Sequence, residues 1–107
     1  MTRRSIRKYS TRDVDDALLN SLLAEAEHTQ TMGNLQLYSV VVTRSSEMKQ
    51  KLAPAHFNQP MVTQAHVVLT FCADYNRTTQ WGLQRKGHPG YDNFLSYQNA
   101  ATDALLY

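Results

Sequence analysis

The sequence is poor in the residues that mark several common classes of protein. Its 107 residues include one cysteine, four glycines and three prolines. A single cysteine excludes an internal disulfide and a multi-thiolate metal site, and so few glycines and prolines exclude a collagen-like or disordered chain. No apolar run approaches the roughly 18 residues that a membrane-spanning helix requires. The hydrophobic content of 42% instead predicts one globular domain over residues 1–107.

Catalytic motifs with a fixed spacing are also absent. There is no phosphate-binding loop that ends in Gly-Lys-Ser/Thr, no Gly-x-Gly-x-x-Gly and no Gly-x-Ser-x-Gly. The four histidines do not pair at a helical spacing that would hold a metal. Cys72 lies in an apolar segment, where we expect a small buried side chain rather than a nucleophile. The sequence therefore predicts neither a metal site nor a catalytic side chain.

Charge is unevenly distributed along a chain whose net charge is +2. Residues 1–12 contain five basic residues and no acid, whereas residues 13–27 contain five acids and no lysine or arginine. The basic segment predicts an attraction for anions. Because no apolar stretch follows it, we expect no secretory signal and a cytoplasmic location.

Hydrophobic spacing predicts the helices and strands. We expect helices over residues 13–28, 46–53, 77–85 and 93–107, strands over 37–43 and 66–73, and a turn over 87–90. The first helix buries an apolar face and is capped by Thr11 or Asp13, and the second closes at Pro54. The second strand is apolar almost throughout, as in a central strand covered on both faces. The apolar face of the first helix consists of Val14, Leu18, Leu19, Leu22, Leu23 and Ala26.

The last helical pattern still runs at Tyr107 without a Gly, Asn or basic cap. We therefore expect a sequence that is cut short. A sheet of only two strands is rarely stable by itself, so we also expect an unusually large exposed apolar patch.

The basic start, Arg3-Arg4-Ser5-Ile6-Arg7-Lys8-Tyr9, has the chemistry of a phosphate site. Two guanidinium groups at Arg3 and Arg7, with the Ser5 hydroxyl between them, supply several donors to one phosphate. Basic segments also occur on solvated surfaces and on nucleic-acid-binding arms, and composition does not separate these alternatives.

A second polar segment, Thr31-Met32-Gly33-Asn34-Leu35-Gln36, leads into the first strand. Asn34 and Gln36 suit a planar ligand with donors and acceptors on its edge, and Gly33 allows a close approach of the backbone. The alternative is an ordinary helix-to-strand turn with Gly33 at a positive φ. The residues alone favour the turn.

Taken together, these segments resemble the N-terminal half of the FMN-dependent nitroreductase family. The resemblance rests on the Arg-Arg-Ser-Ile-Arg-x-Tyr start, the loop Gly33-Asn34-x-Gln36, and the run from Gln59-Pro60-Met61-Val62 into the second strand. It implies an α+β fold, the three-layer α/β/α nitroreductase-like fold, apparently truncated here. It also implies a homodimer with FMN at the subunit interface. From the charge pattern and the short apolar runs we expect no nucleic-acid or membrane partner. The implied activity is reduction of nitroaromatic compounds, quinones or similar acceptors by NADH or NADPH.

The resemblance also implies which residues bind the cofactor. Arg3, Ser5 and Arg7 match positions that hold the FMN phosphate and ribityl chain, and Arg4 approaches the flavin through its backbone. Thr31, Met32, Asn34 and Gln36 match a loop that packs on the flavin, in part from the partner subunit. Asn58 or Gln59 falls where the family has a polar side chain near the ring edge. Hydride transfer would be the chemistry of the cofactor itself.

Two other functions compete with this one. The first is a non-catalytic dimerising or anion-binding module that has lost the flavin. The second is a nucleic-acid-binding protein with Tyr9, Tyr38 or Trp81 as stacking platforms, which is disfavoured because an equally large acidic segment follows the basic one. Since the second half of the family is not in this sequence, we expect little flavin reductase activity from the 107-residue chain alone.

Overall fold

A computed structural model describes residues 2–90 and 92–107, so that Met1 and Tyr91 lie outside the described residues. The helices and strands are, in chain order, α1 (Asp16–Ala26), β1 (Tyr38–Thr43), α2 (Ser46–Leu52), α3 (Pro60–Gln64), β2 (Val68–Ala73), α4 (Tyr75–Gln84) and α5 (Phe94–Leu106). Short 3-10 turns lie at Met32–Asn34 and Ala53–His56. The predicted helices and strands are all present, and α3 is an additional short helix.

The two strands form an antiparallel pair in which Tyr38 lies opposite Ala73 and Thr43 lies opposite Val68. Helix α5 packs against both strands. At the end of α5, the ring of Tyr107 lies 4.3 Å from that of Tyr38, centroid to centroid. The Tyr107 hydroxyl donates a hydrogen bond of 2.9 Å to the carbonyl of Leu23 in α1. One residue therefore joins α5, the sheet and α1.

The prediction that the second strand is covered on both faces is wrong for this chain. Among the described residues β2 pairs with β1 alone, and its side chains are at most half-buried, with Phe71 47% exposed. Its apolar composition shows that both faces suit burial. The composition of β2 does not show that the helices or strands that cover its two faces belong to these 107 residues.

The start of α1 also differs from the prediction. Asp15, rather than Thr11 or Asp13, is the N-cap, and its carboxylate accepts the Leu18 N–H at 2.7 Å. On the expected apolar face Leu19 is buried, whereas Leu18 and Leu22 are exposed. The choice among neighbouring acids depends on where the chain turns, because only an extended residue directly before the helix can accept from its free N–H groups.

Two turns differ as well. Helix α2 ends at Leu52, and Pro54 lies inside the following 3-10 turn because its fixed φ suits the first turn of a helix. The turn expected over 87–90 lies at Arg85–Lys86, where Lys86 has a φ of 62°. Gly87 follows it closely, and a Cβ there would lie 2.9 Å from the Gly82 carbonyl oxygen.

Many large apolar side chains are exposed. Phe57 is 89% and Leu105 is 86% exposed, and Phe94, Tyr97 and Trp81 are also largely accessible. Within residues 2–90 and 92–107, no helix combines the length and apolar character that a membrane crossing needs.

Asp74 joins the sheet to α4. It is the N-cap of α4 and accepts the Arg77 N–H at 3.1 Å, while its own N–H donates to the Leu37 carbonyl at 2.8 Å. The Ser39 hydroxyl also donates to its carboxylate. The pKa of Asp74 is lowered from its usual value, mainly by the Ser39 hydrogen bond and then by the Arg77 backbone N–H. These bonds favour the ionised form.

Substituting Ser39→Ala should raise the pKa of Asp74 towards its ordinary value. A lowered pKa stabilises the folded protein above the unfolded-state pKa of about 3.9, and this contribution is lost as the pH falls through the folded-state pKa. We therefore expect a loss of at most about 1 kcal/mol in unfolding free energy at pH 7, because the carboxylate is partly solvent-exposed, and a smaller difference below about pH 4. Urea unfolding at both pH values measures this effect. Ser45→Ala is the control, because Ser45 caps α2 without a side-chain hydrogen bond. An unchanged NMR titration of Asp74 in the Ser39 variant would contradict the assignment.

Candidate functional site

The basic N-terminal segment lies on the surface without regular secondary structure. Arg3, Arg4, Ser5 and Arg7 are all solvent-exposed. The salt bridges found in the described part of the chain involve Arg44, Lys51 and His66, and none of the three N-terminal arginines. Their guanidinium groups therefore remain available to an anion.

Asp13 and Asp16, which follow this segment, already form ion pairs within the chain. Arg44, directly after β1, lies 2.9 Å from the Asp16 carboxylate and 3.8 Å from that of Asp13. His66, directly before β2, lies 3.5 Å from the Asp13 carboxylate through Nδ1 and 3.1 Å from the Ser10 carbonyl through Nε2. These contacts attach the chain before α1 to the end of the sheet. They also keep these two acids from pairing with the N-terminal arginines.

Arg7 lies beside the start of α3. It lines a concavity of about 280 Å³ together with Gln59, Pro60 and Met61. The sequence left Asn58 and Gln59 as alternatives, and of these two Gln59 lines the concavity. The structure therefore places an arginine and a glutamine from distant parts of the sequence around one concavity.

The backbone before α3 determines this placement. Phe57 and Asn58 have φ values of 56° and 53°, and the Asn58 N–H donates to the Ala53 carbonyl at 2.9 Å. Gln59 is extended and is the N-cap residue of α3. At the other end of α3, the buried Lys49 donates from Nζ to the Ala65 carbonyl at 2.8 Å. Helix α3 is thus held against α2, and Gln59 is fixed at its start.

The segment between α1 and β1, residues 31–36, forms a tightly folded loop that we call the 31–36 loop. The positive φ predicted at Gly33 is confirmed, with a value of 57°. Asn34 and Gln36 also have positive φ values, of 55° and 54°. A non-glycine residue in this region costs about 1–2 kcal/mol, so the loop needs support from its surroundings. Part of it is internal, since the Gln36 N–H donates to the Thr31 hydroxyl at 3.3 Å.

The main support comes from Asp103 in α5, a residue that the sequence analysis missed. Its carboxylate is buried, with the residue only 1% exposed. One oxygen, Oδ1, accepts the Met32 N–H at 3.1 Å, and the other, Oδ2, accepts the Leu37 N–H at 3.2 Å. One feature of the sequence could have indicated this role. Asp103 is an acid between Ala100 and Ala104, on the face of the helix that the apolar pattern assigns to the core.

A second contact holds the end of the loop. The Arg77 guanidinium donates from Nη2 to the Gln36 carbonyl at 2.5 Å. Asn34 and Gln36 line a concavity of about 470 Å³ together with Arg77, Thr78 and Trp81. Residues of the loop therefore line an opening that is also lined by the exposed Trp81.

Six of the ten predicted site residues lie in three groups. Arg7 and Gln59 share one concavity, Asn34 and Gln36 share a second, and Thr31 and Met32 line a third with α5. The other predicted site residues are exposed: Arg3, Arg4, Ser5 and Asn58.

Two further expectations are tested by burial. Tyr38 is only 8% exposed, so its proposed role as a stacking platform for nucleic acid is wrong. Cys72 is half-buried rather than fully buried. Among the described residues, no cluster of three or more His, Cys, Asp or Glu side chains suits a metal ion.

Comparison with known proteins identifies the fold and the family. The profile of the Nitroreductase family matches residues 1–104. The FMN reductase [NAD(P)H] of Bacillus subtilis is 34% identical over 69% of this chain and 30% of its own length. The oxygen-insensitive NADPH nitroreductase of Salmonella typhimurium is 34% identical over 94% of this chain and 45% of its own length.

A solved structure agrees with these matches. The crystal structure of a Bacteroides fragilis protein superposes with a TM-score of 0.93 and 56% identity, covering 97% of this chain and 42% of that one. The α+β fold implied by the sequence resemblance is therefore confirmed. The chain spans less than half the length of these three proteins. On the match over residues 1–104, this chain belongs to the Nitroreductase family.

Proposed function

We propose that this chain forms the N-terminal half of an FMN-dependent NAD(P)H oxidoreductase that reduces nitroaromatic compounds, quinones or similar acceptors. The family match and the names of the relatives, an FMN reductase and an NADPH nitroreductase, support this proposal. The structural observation that carries it is the set of exposed N-terminal arginines, one of which, Arg7, lines a concavity together with Gln59.

The donors present fit the two ends of FMN. Its phosphate is a dianion, which matches the exposed guanidinium groups of Arg3 and Arg7 and the hydroxyl of Ser5. Its ring has a hydrogen-bonding edge, which matches side-chain amides in the 31–36 loop and at the start of α3. When bound, FMN supplies hydride transfer between the nicotinamide and the acceptor.

The residues of this chain then bind and orient. Arg3, Ser5 and Arg7 would hold the phosphate and ribityl chain, and Arg4 would contribute its backbone. Gln59 would lie near the ring edge, with Asn58 as the neighbouring alternative. The loop residues that would pack on the ring are Thr31, Met32, Asn34 and Gln36.

We further propose that the protein acts as a homodimer with FMN at the subunit interface. The large exposed apolar side chains support this, because Phe57, Phe94 and Leu105 lie on the surface of the described chain and such surface favours association. A reaction driven by NADH or NADPH also fits the cytoplasm, which we propose as its location.

Alanine substitutions in the basic segment test the phosphate site. Arg3→Ala or Arg7→Ala should weaken FMN binding at least about tenfold, because each removes charge-assisted hydrogen bonds. Lys8→Ala and Arg12→Ala are matched controls, since both cations belong to the same exposed segment, and they should have smaller effects. Fluorescence titration with FMN measures all four. Equal small losses at the four positions would indicate general electrostatic attraction and contradict the site.

Turnover tests the activity of the chain itself. We expect the 107-residue protein with added FMN to oxidise NADH or NADPH with a quinone acceptor well below about 1 per second, the lower end of ordinary enzyme rates. A version extended as in the relatives should react faster. Bound flavin in the visible spectrum of the extended version supports the proposal. Its absence would favour the non-catalytic dimerising or anion-binding module instead.

The interface proposal predicts a dimer whose stability depends on FMN. The melting temperature should rise with the ratio of free FMN to its dissociation constant. Sedimentation and thermal unfolding with and without FMN measure both quantities. A monomer that binds FMN tightly would overturn the interface site while leaving the phosphate site standing.

A further inference from the structure

The buried carboxylate of Asp103 accepts hydrogen bonds at both ends of the 31–36 loop. Met32, near the start of the loop, donates to Oδ1, and Leu37, directly after it, donates to Oδ2. Leu37 is fully buried, and it is also the residue whose carbonyl accepts the Asp74 N–H. A single side chain therefore fixes the distance between the two ends of the loop.

A carboxylate suits this position better than any other side chain. It has two oxygens that accept hydrogen bonds and carries no donor when ionised. An asparagine of the same shape would offer one oxygen and turn an NH₂ group towards the second backbone N–H. The charge also strengthens both bonds, since N–H groups bind a carboxylate more strongly than a neutral oxygen.

The conformation between the two ends needs this restraint. Gly33, Asn34 and Gln36 all have positive φ values, which asparagine tolerates and glutamine adopts at a cost. Without the two bonds to Asp103, the N–H groups of Met32 and Leu37 lose the acceptor that holds the loop in this shape.

We propose that Asp103 is the positioning residue that holds the 31–36 loop in the conformation that packs on the flavin ring. This inference rests on the proposed function for the identity of the ligand. We call the two hydrogen bonds from the Met32 and Leu37 N–H groups to Asp103 the clamp. The evidence for the clamp is these two bonds and the burial of the carboxylate.

The test combines two readouts on Asp103→Asn. Residue-resolved amide exchange should rise at least about tenfold at Met32 or Leu37, since one of the two loses a hydrogen bond to a charged group. Exchange at the Leu19 and Lys49 amides, which bond to the Asp15 and Ser45 carbonyls, should stay unchanged. Loss of global stability would raise exchange at all four amides together and would overturn the proposal.

Flavin titration supplies the second readout. Asp103→Asn should weaken FMN and riboflavin by the same factor, because the loop is proposed to contact the ring that both share. Arg7→Ala should weaken FMN alone, because riboflavin lacks the phosphate. Asp103→Glu keeps both acceptor oxygens and should retain more flavin affinity than the Asn variant. The control is Asp92→Asn, which removes a charge from an exposed residue just before α5.

The outcomes separate this inference from the proposed function. If the unsubstituted protein, extended as in the relatives, binds no flavin, the proposed function fails, and the amide exchange still tests the two Asp103 hydrogen bonds. If it binds flavin and Asp103→Asn binds it equally well, the positioning role is wrong and the proposed function stands. Should the Asn variant fail to fold, fast exchange of the Met32 and Leu37 amides in the unsubstituted protein would overturn the clamp, and slow exchange would support it.

Discussion

The two hydrogen bonds of the Asp103 carboxylate connect the main parts of this chain. They join α5 to both ends of the 31–36 loop, and α5 itself packs on β1 and β2. Burying a charge is costly unless every oxygen finds a donor. Here two backbone N–H groups satisfy the carboxylate, and the same bonds give the loop an anchor that its own short contacts do not supply. The sheet, the last helix and the loop are therefore connected to one another through Asp103 and α5.

Near the N-terminus, the acidic side chains have partners other than the arginines that precede them. Asp13 and Asp16 face Arg44, and Asp15 caps α1. Because these acids have partners near the sheet, the arginines before them remain exposed. A chain with a net charge of only +2 can in this way present a concentrated basic surface. Local pairing, rather than overall charge, determines what an anion would meet.

The exposed apolar surface is related to the small size of the sheet. An isolated two-stranded sheet is marginal in water, and here it is stabilised by α5 and by the contacts of Tyr107 with Tyr38 and Leu23. Phe71, Phe57 and Leu105 stay accessible. The chain spans less than half the length of the relatives compared. Exposed apolar side chains of this size favour contact with further protein.

The sequence by itself determined the two strands, the helices other than α3, and the family, because apolar periodicity and the Arg-Arg-Ser-Ile-Arg start are local patterns. It also predicted the positive φ at Gly33, which depends on a single residue type. Only the tertiary structure decided that Asp15 caps α1 and that Gln59 rather than Asn58 lies beside Arg7. The same holds for Asp103 and the loop. Each of these depends on where the backbone turns or on a contact between distant segments, and neither is encoded by the spacing of neighbouring residues.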